Sequence, residues 1–168
     1  MRFFIDTEFT TDDPSTLELI SIGVVGEDGS EYYAVSNEFD ERRVGDWVGE
    51  HVMGLLEPRT DPVWRSRAHI RDDLVAFLGE RATELWGYSP AYDWFLLHGL
   101  FGGWSKLPET FPWNCWDLKQ WAWQLGATDL PEQTSRTHHA LDDARHDRDV
   151  FVFLLGIARA RRFPAPTP

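Results

Sequence analysis

A chain of 168 residues with 42% apolar residues is long enough for one domain with a full core, and too apolar to be disordered. A net charge of −12 argues against a protein that coats duplex nucleic acid by neutralising many phosphates. It leaves room for an enzyme that grips a few terminal nucleotides, where bound cations can supply the local positive charge. The single cysteine, Cys115, excludes an intrachain disulfide and a cysteine zinc cluster and suits a reducing cytoplasm, the expected location. The opening residues lack a signal-peptide pattern, and no apolar stretch is long enough to span a bilayer. Nine tryptophans are many for this length; they are expected to fill the core and to leave some rings for stacking on bases.

Residues 2–9 read as a strand, with Phe3, Phe4, Ile5 and Phe9 in an apolar run, followed by Thr-Asp-Asp-Pro turn chemistry. A second strand is expected near 17–26, turning at Glu27-Asp28-Gly29 into a third at 31–36. The stretch after it, rich in charge and Pro, reads as a loop. Helical spacing through Ile70, Leu74, Phe77 and Leu78 predicts a helix over 68–81. A short strand at 84–88, a helix from 92 to about 100, a short buried strand at 115–118 and a helix over 119–125 follow. After a polar loop at 126–137, the stripe Ala140, Ala144, Phe151, Leu154, Leu155 and Ala158 predicts a last helix to about 161. Pro164 and Pro166 mark 163–168 as a loose tail beyond a domain at 1–162. A three-strand meander followed by alternating helices and strands implies an α/β fold with a mixed sheet in a single domain.

Asp6 and Glu8 stand two apart in an apolar strand, so both carboxylates point to one face. Two adjacent anions beside a hydrophobic sheet repel each other and lose hydration, and a bound cation is the usual compensation. The alternative is a strand that ends at Ile5 and leaves both acids solvated. Asp93 opens a helix, where an acid also serves the dipole and the free N–H groups. Asp143 falls beside the buried face of the last helix and needs a partner. His138 sits just ahead of that helix, while His139 and Asp143 read as an ordinary surface pair four residues apart, and Asp142 and Asp147 are equally titratable. Together, three segments deliver four carboxylates and one imidazole. Hard oxygen ligands of this kind select Mg²⁺ or Mn²⁺ over zinc, two such ions suit phosphodiester hydrolysis, and imidazole is a suitable base for the attacking water.

These residues resemble the DEDD exonuclease superfamily in its DEDDh branch. Its Asp-x-Glu is matched by Asp6-Thr7-Glu8, its aromatic-Asp by Tyr92-Asp93, and its His-x-Ala-x-x-Asp by His138-His139-Ala140-Leu141-Asp142-Asp143, in the family's order. That spacing selects His138 over His139 and Asp143 over Asp142. The chain departs from the family at Tyr88-Ser89-Pro90, where an Asn is often found. The resemblance implies a ribonuclease H-like fold, two Mg²⁺ or Mn²⁺ ions on Asp6, Glu8, Asp93 and Asp143, catalysis by Glu8 and His138, and often a homodimer. Phe-Ile-Asp-Thr-Glu-Phe, the run Leu17 to Val25, Glu31-Tyr-Tyr-Ala-Val-Ser and Trp64-Arg-Ser-Arg resemble the small actinobacterial polyadenylate-specific exoribonucleases. This closer likeness implies a single-stranded RNA 3′ end as substrate, with adenosine preferred.

For substrate contacts the candidates are Thr7, Leu17, Glu18 and Leu19 around the first motif, and Trp64, Arg65 and Arg67, which join an aromatic face to positive charge. Core packing for Trp64 and a solvated face for the arginines are the competing expectations. Three rivals remain at this level. A non-catalytic RNA-binding module needs none of the acids; a DEDDh enzyme acting on DNA shares all of them; a small-molecule phosphohydrolase would not prefer polymer ends. The chain has no phosphate-cradling Gly-rich loop and no Ser or Cys nucleophile motif.

Overall fold

The computed structural model describes residues 1–162; the tail expected at 163–168 lies outside the described residues. Six strands form one sheet: β1 (Arg2–Phe9), β2 (Leu19–Gly26), β3 (Glu31–Ser36), β4 (Trp64–Arg65), β5 (Glu84–Gly87) and β6 (Cys115–Asp117). Five α-helices accompany them: α1 (Asp46–His51), α2 (Arg67–Leu78), α3 (Ala91–Phe101), α4 (Leu118–Gln124) and α5 (Ala140–Arg162). The strand order is β4-β3-β2-β1-β5-β6, with β1, β2 and β3 antiparallel and β5 parallel to β1. This is the mixed, helix-flanked sheet that the element order predicts.

Strand alternation divides the core in two. Phe3 and Ile5 pack on one face with Ile70, Leu74 and Leu78 of α2 and Leu96, Leu97 and Leu100 of α3. Phe4 packs on the other with Leu118 and Ala122 of α4 and Val150, Phe151 and Leu154 of α5. All eight residues of β2 are buried. Helix α5 crosses β2 so closely that a Cβ on Gly23 would stand 2.3 Å from the carbonyl oxygen of Ala140, so only glycine admits the helix at this height. Asp117 caps α4 by accepting from the N–H groups of Lys119 and Gln120.

The stretch between β3 and α2 is not the plain loop its charge and proline content predict. It holds α1 and the two-residue strand β4. Neither leaves a readable trace. Helix α1 spans six residues, starts at Gly45 without a side-chain cap and buries none of its residues. It is pinned instead by tertiary bonds: the Gly45 N–H donates to the Thr10 carbonyl at 2.9 Å, drawing α1 against the loop that follows β1. A third small core of Ile20, Phe39 and Val52 lies beneath it.

Candidate active site

Pairing between β1 and β5 stops at Phe4 and Trp86, so the later N–H groups on that side of β1 need other acceptors. Asp93, in the first turn of α3, meets this need. Its Oδ1 accepts from the Thr7 N–H at 2.8 Å and the Thr7 hydroxyl at 2.6 Å. Thr7 faces away from Asp6 and Glu8 by alternation, so Asp93 is tied to the strand between the two first-motif acids. The register against β2 shifts between Glu8 and Phe9, a bulge that ends the regular strand where the acids emerge.

From the other side, α5 brings Asp143. His138, two residues before the helix, takes φ +64°, a left-handed conformation unusual for a residue with a side chain. Glu8, His138 and Asp143 offer ligand atoms that all lie within 4.8 Å of one another. Asp6 lines the same groove, about 450 Å³, with His138, Asp143 and Asp147. The structure thus gathers the four motif carboxylates and His138 around the end of β1.

Their electrostatics are those of crowded like charges. Burial, then Asp93, Glu8, Asp143 and Asp147, push Asp6 well above the usual carboxylate range. Burial and then Asp143 and Asp93 push Glu8 up to about 8. Asp93 is pushed up to about 6 by burial, against the opposing bonds from Thr7. Asp143 is raised by burial and partly held down by a 2.5 Å hydrogen bond from the Gln133 amide. Among the described residues, the nearby guanidinium groups of Arg136 and Arg145 pair with Asp142 and not with these acids. A concentration of oxygen donors without a balancing side-chain cation suits a hard divalent ion.

This crowding has a measurable consequence. A carboxyl whose folded pKa is raised holds its proton more tightly folded than unfolded, so its contribution is present below the unfolded value near 4.5 and is lost as pH rises through the folded value near 8. The metal-free protein is expected to lose thermal stability between pH 5.5 and 8, and Mg²⁺ to restore more of it at pH 8. Saturation to about 100 times Kd stabilises by about 2.7 kcal/mol, or roughly 5–10 °C in Tm for a chain of this size. Thermal melts with Mg²⁺ and with EDTA at both pH values check this; an equal increment at the two would deny that the ion replaces protons.

Several participants escape a motif-based reading. Asp147, one helical turn after Asp143, is buried and accepts from the Tyr88 N–H at 2.9 Å. Asp117 accepts from the Ser89 N–H at 3.2 Å. These two bonds hold the Tyr88-Ser89 turn where the family often has Asn. Trp47 of α1 stacks on His51 with ring centroids 4.4 Å apart and meets His138 edge-to-face at 4.8 Å. Asp147 follows Asp143 by four residues, as His51 follows Trp47, and that spacing is their only sequence signal.

Other expectations need correction. His139 is not a surface partner of Asp143: it is 2% exposed, stacks on Tyr33, and lies 3.3 Å from Glu57 and 3.6 Å from Asp142. Because the left-handed turn at His138 separates the two side chains, one imidazole faces the groove and the other the core. Of the proposed substrate contacts, Leu19 is 1% exposed within the core and Thr7 is occupied by Asp93. Glu18 is engaged by the Asp40 N–H at 2.7 Å, and Leu17 is half-buried against the main core. Trp64 packs under the Arg59 guanidinium, 3.9 Å above its ring, and donates from Nε1 to the Glu57 carbonyl. Arg65 lies 4.0 Å from Asp73, while the Arg67 backbone N–H donates to Glu38. Trp64 and Arg65 form β4, three strand spacings from β1 and so roughly 14 Å away across the sheet.

The sequence pattern of the family described as the 3′–5′ exoribonuclease Rv2179c-like domain matches residues 1–155. Two relatives from Mycobacterium tuberculosis, the 3′–5′ exoribonucleases Rv2179c of strain H37Rv and MT2234.1 of strain CDC 1551, are each 48% identical over 148 residues, covering 86% of this chain and 88% of theirs. Among solved structures, E. coli exonuclease I with a dT13 oligonucleotide superposes at TM-score 0.66 and 14% identity, covering 96% of this chain and 42% of that one. The zinc-bound exonuclease I–ssDNA complex gives TM-score 0.65 and 14% identity, over 96% of this chain and 41% of that chain. The Neurospora crassa Pan2 catalytic unit gives TM-score 0.59 and 15% identity, over 95% of this chain and 28% of that chain. This chain therefore spans less than half the length of those structures, and at such identities the likeness is one of fold, the ribonuclease H-like fold. Among the described residues no helix is long and apolar enough to cross a membrane.

Proposed function

The chain belongs to the family of the 3′–5′ exoribonuclease Rv2179c-like domain, and from that premise we propose that it removes nucleoside 5′-monophosphates from the 3′ end of single-stranded RNA, preferring adenosine. The observation that carries the reading is the approach of Glu8, His138 and Asp143 to within 4.8 Å at the end of a groove that Asp6 also lines. Asp6, Glu8, Asp93 and Asp143 would hold two divalent ions, Mg²⁺ or Mn²⁺, and their hard carboxylate oxygens fit them. Bound there, the ions supply Lewis acidity for the attacking water and for the departing 3′ oxygen.

The remaining work falls to side chains. His138 takes the proton of the water that attacks the terminal phosphodiester in line. Thr7 fixes Asp93, Gln133 fixes Asp143, and Trp47 fixes the ring of His138. Trp47 is 52% exposed, so its free surface offers a purine-sized platform beside the reacting end. The preference for adenosine rests on the closer resemblance together with that platform. Association as a homodimer rests on the resemblance alone.

The test uses 3′-adenylated and 3′-cytidylated single-stranded RNA and a deoxyadenosine strand, each with Mg²⁺ and with EDTA. Stepwise shortening of the adenylated RNA ahead of the other two, stopped by EDTA, is the expected result. Equal shortening of both RNAs would remove the adenosine preference. Faster loss of the deoxyadenosine strand would favour a DNA exonuclease, and metal-independent shortening would reject the mechanism.

A further inference from the structure

The catalytic groove continues beyond its acids. Two of its wall residues, Tyr88 and Leu130, also line a second groove of about 440 Å³ that runs over α4 past Lys119 and Trp123. Helix α4 uses Leu118 and Ala122 for the core, while Trp123 projects away from it at 84% exposure. A tryptophan so open to water contributes almost nothing to packing, and its exposed surface is large. Lys119 lies one helical turn before it, about 6 Å along the axis, so both side chains share a face of α4.

Lys119 is one of only two lysines in a chain of net charge −12. Its ammonium stands 5.7 Å over the ring of Tyr88, itself 42% exposed. Among the described residues it forms no ion pair with a carboxylate. A cation over the partly exposed Tyr88 ring and one helical turn from the open Trp123 ring, contiguous with a site proposed to act on phosphodiesters, matches what a single-stranded polyanion with flat bases needs.

We propose that the groove formed by Tyr88, Lys119 and Trp123 guides the single strand upstream of the nucleotide being removed. Bases stack on Trp123 and Tyr88, and Lys119 takes a backbone phosphate between them. This rests on the exonuclease reading for its direction, since the occupant is the part of the same strand that has not yet reached the metal ligands. It makes affinity depend on strand length, because a dinucleotide engages the terminal site without reaching α4.

The experiment measures Kd by fluorescence anisotropy for 5′-labelled oligoadenylate of about twelve nucleotides and for a labelled adenosine dinucleotide, in EDTA so that neither is consumed. Trp123→Ala is expected to raise Kd for the long strand about 5- to 100-fold, the loss of one base–aromatic stack, and to leave the dinucleotide unchanged. Lys119→Gln is expected to flatten the plot of log Kd against log salt by about 0.7, the release of one phosphate contact from a single strand. An unchanged Kd for the long strand, an equal loss for both ligands, or a change only in the oligomeric state of Trp123→Ala would overturn the proposal. Incubation of the same wild-type protein with Mg²⁺ reports separately on the exonuclease reading: failure to shorten RNA would sink that reading and leave length-dependent binding to decide this one.

Discussion

Asp6→Asn is expected to lower turnover of single-stranded RNA by about 10³- to 10⁵-fold and, in the same protein without metal at pH 8, to raise Tm. The two effects share a cause. Asp6 lies at the centre of the acids, raised by burial and then by Asp93, Glu8, Asp143 and Asp147. An amide of the same shape keeps the packing, cannot ionise in that field and weakens the grip on cations. Each 1 kcal/mol of repulsion relieved corresponds to about 2–4 °C for a chain of this length. The increment in Tm that Mg²⁺ gives the wild type should shrink as well. A variant that lost activity and stability together would point to simple misfolding. One that kept more than a tenth of its turnover would remove Asp6 from the site.

The fold was legible wherever burial sets a period. Phe3, Phe4 and Ile5 alternate between two cores, and the apolar stripe of α5 reaches from Ala140 to Leu154 because one face of that helix lies on the sheet. Legibility fails where an element is held by single tertiary bonds. Helix α1 fully buries none of its residues and is placed by the Gly45–Thr10 bond and by Val48 against the small third core, so little in its own six residues distinguishes it from the loop around it. β4 is two residues long and is held by pairing with Val35 and Ser36 on the edge of β3 opposite β2, too short a run to show a period.

The site divides along the same line. Asp6, Glu8, Asp93, His138 and Asp143 could be named because their spacing matches a family pattern and because adjacent buried acids demand compensation. Asp147 is another buried acid, but it holds the backbone of Tyr88, a contact across 59 residues that no spacing rule encodes. Trp47 reaches His138 only because α1 is folded against the loop after β1. At Trp64 the sequence leaves base stacking and core packing as competing expectations. An aromatic beside arginines suggests stacking on bases, yet its ring is already covered by Arg59 and its Nε1 already bonded, which makes it a strut under the loop that carries Glu57.

His138→Ala separates two roles that the geometry allows. With Glu8 and Asp143 within 4.8 Å, the imidazole either takes a proton from the attacking water or serves as a third ligand to an ion. A lost general base costs about 10²- to 10⁴-fold in kcat and leaves the Mg²⁺ concentration for half-maximal rate unchanged. A lost ligand moves that concentration up and is partly overcome by more metal. We expect the first outcome, because hard divalent ions favour the oxygen donors already gathered here, and because the ring is held from outside the acid cluster by Trp47. The backbone supplies a control. At φ +64° a side chain is strained, so His138→Gly should fold at least as stably as His138→Ala while being no more active. If the glycine variant were instead the more active of the two, strain relief and not the missing imidazole would be setting the rate, and the assignment of His138 as base would have to be given up.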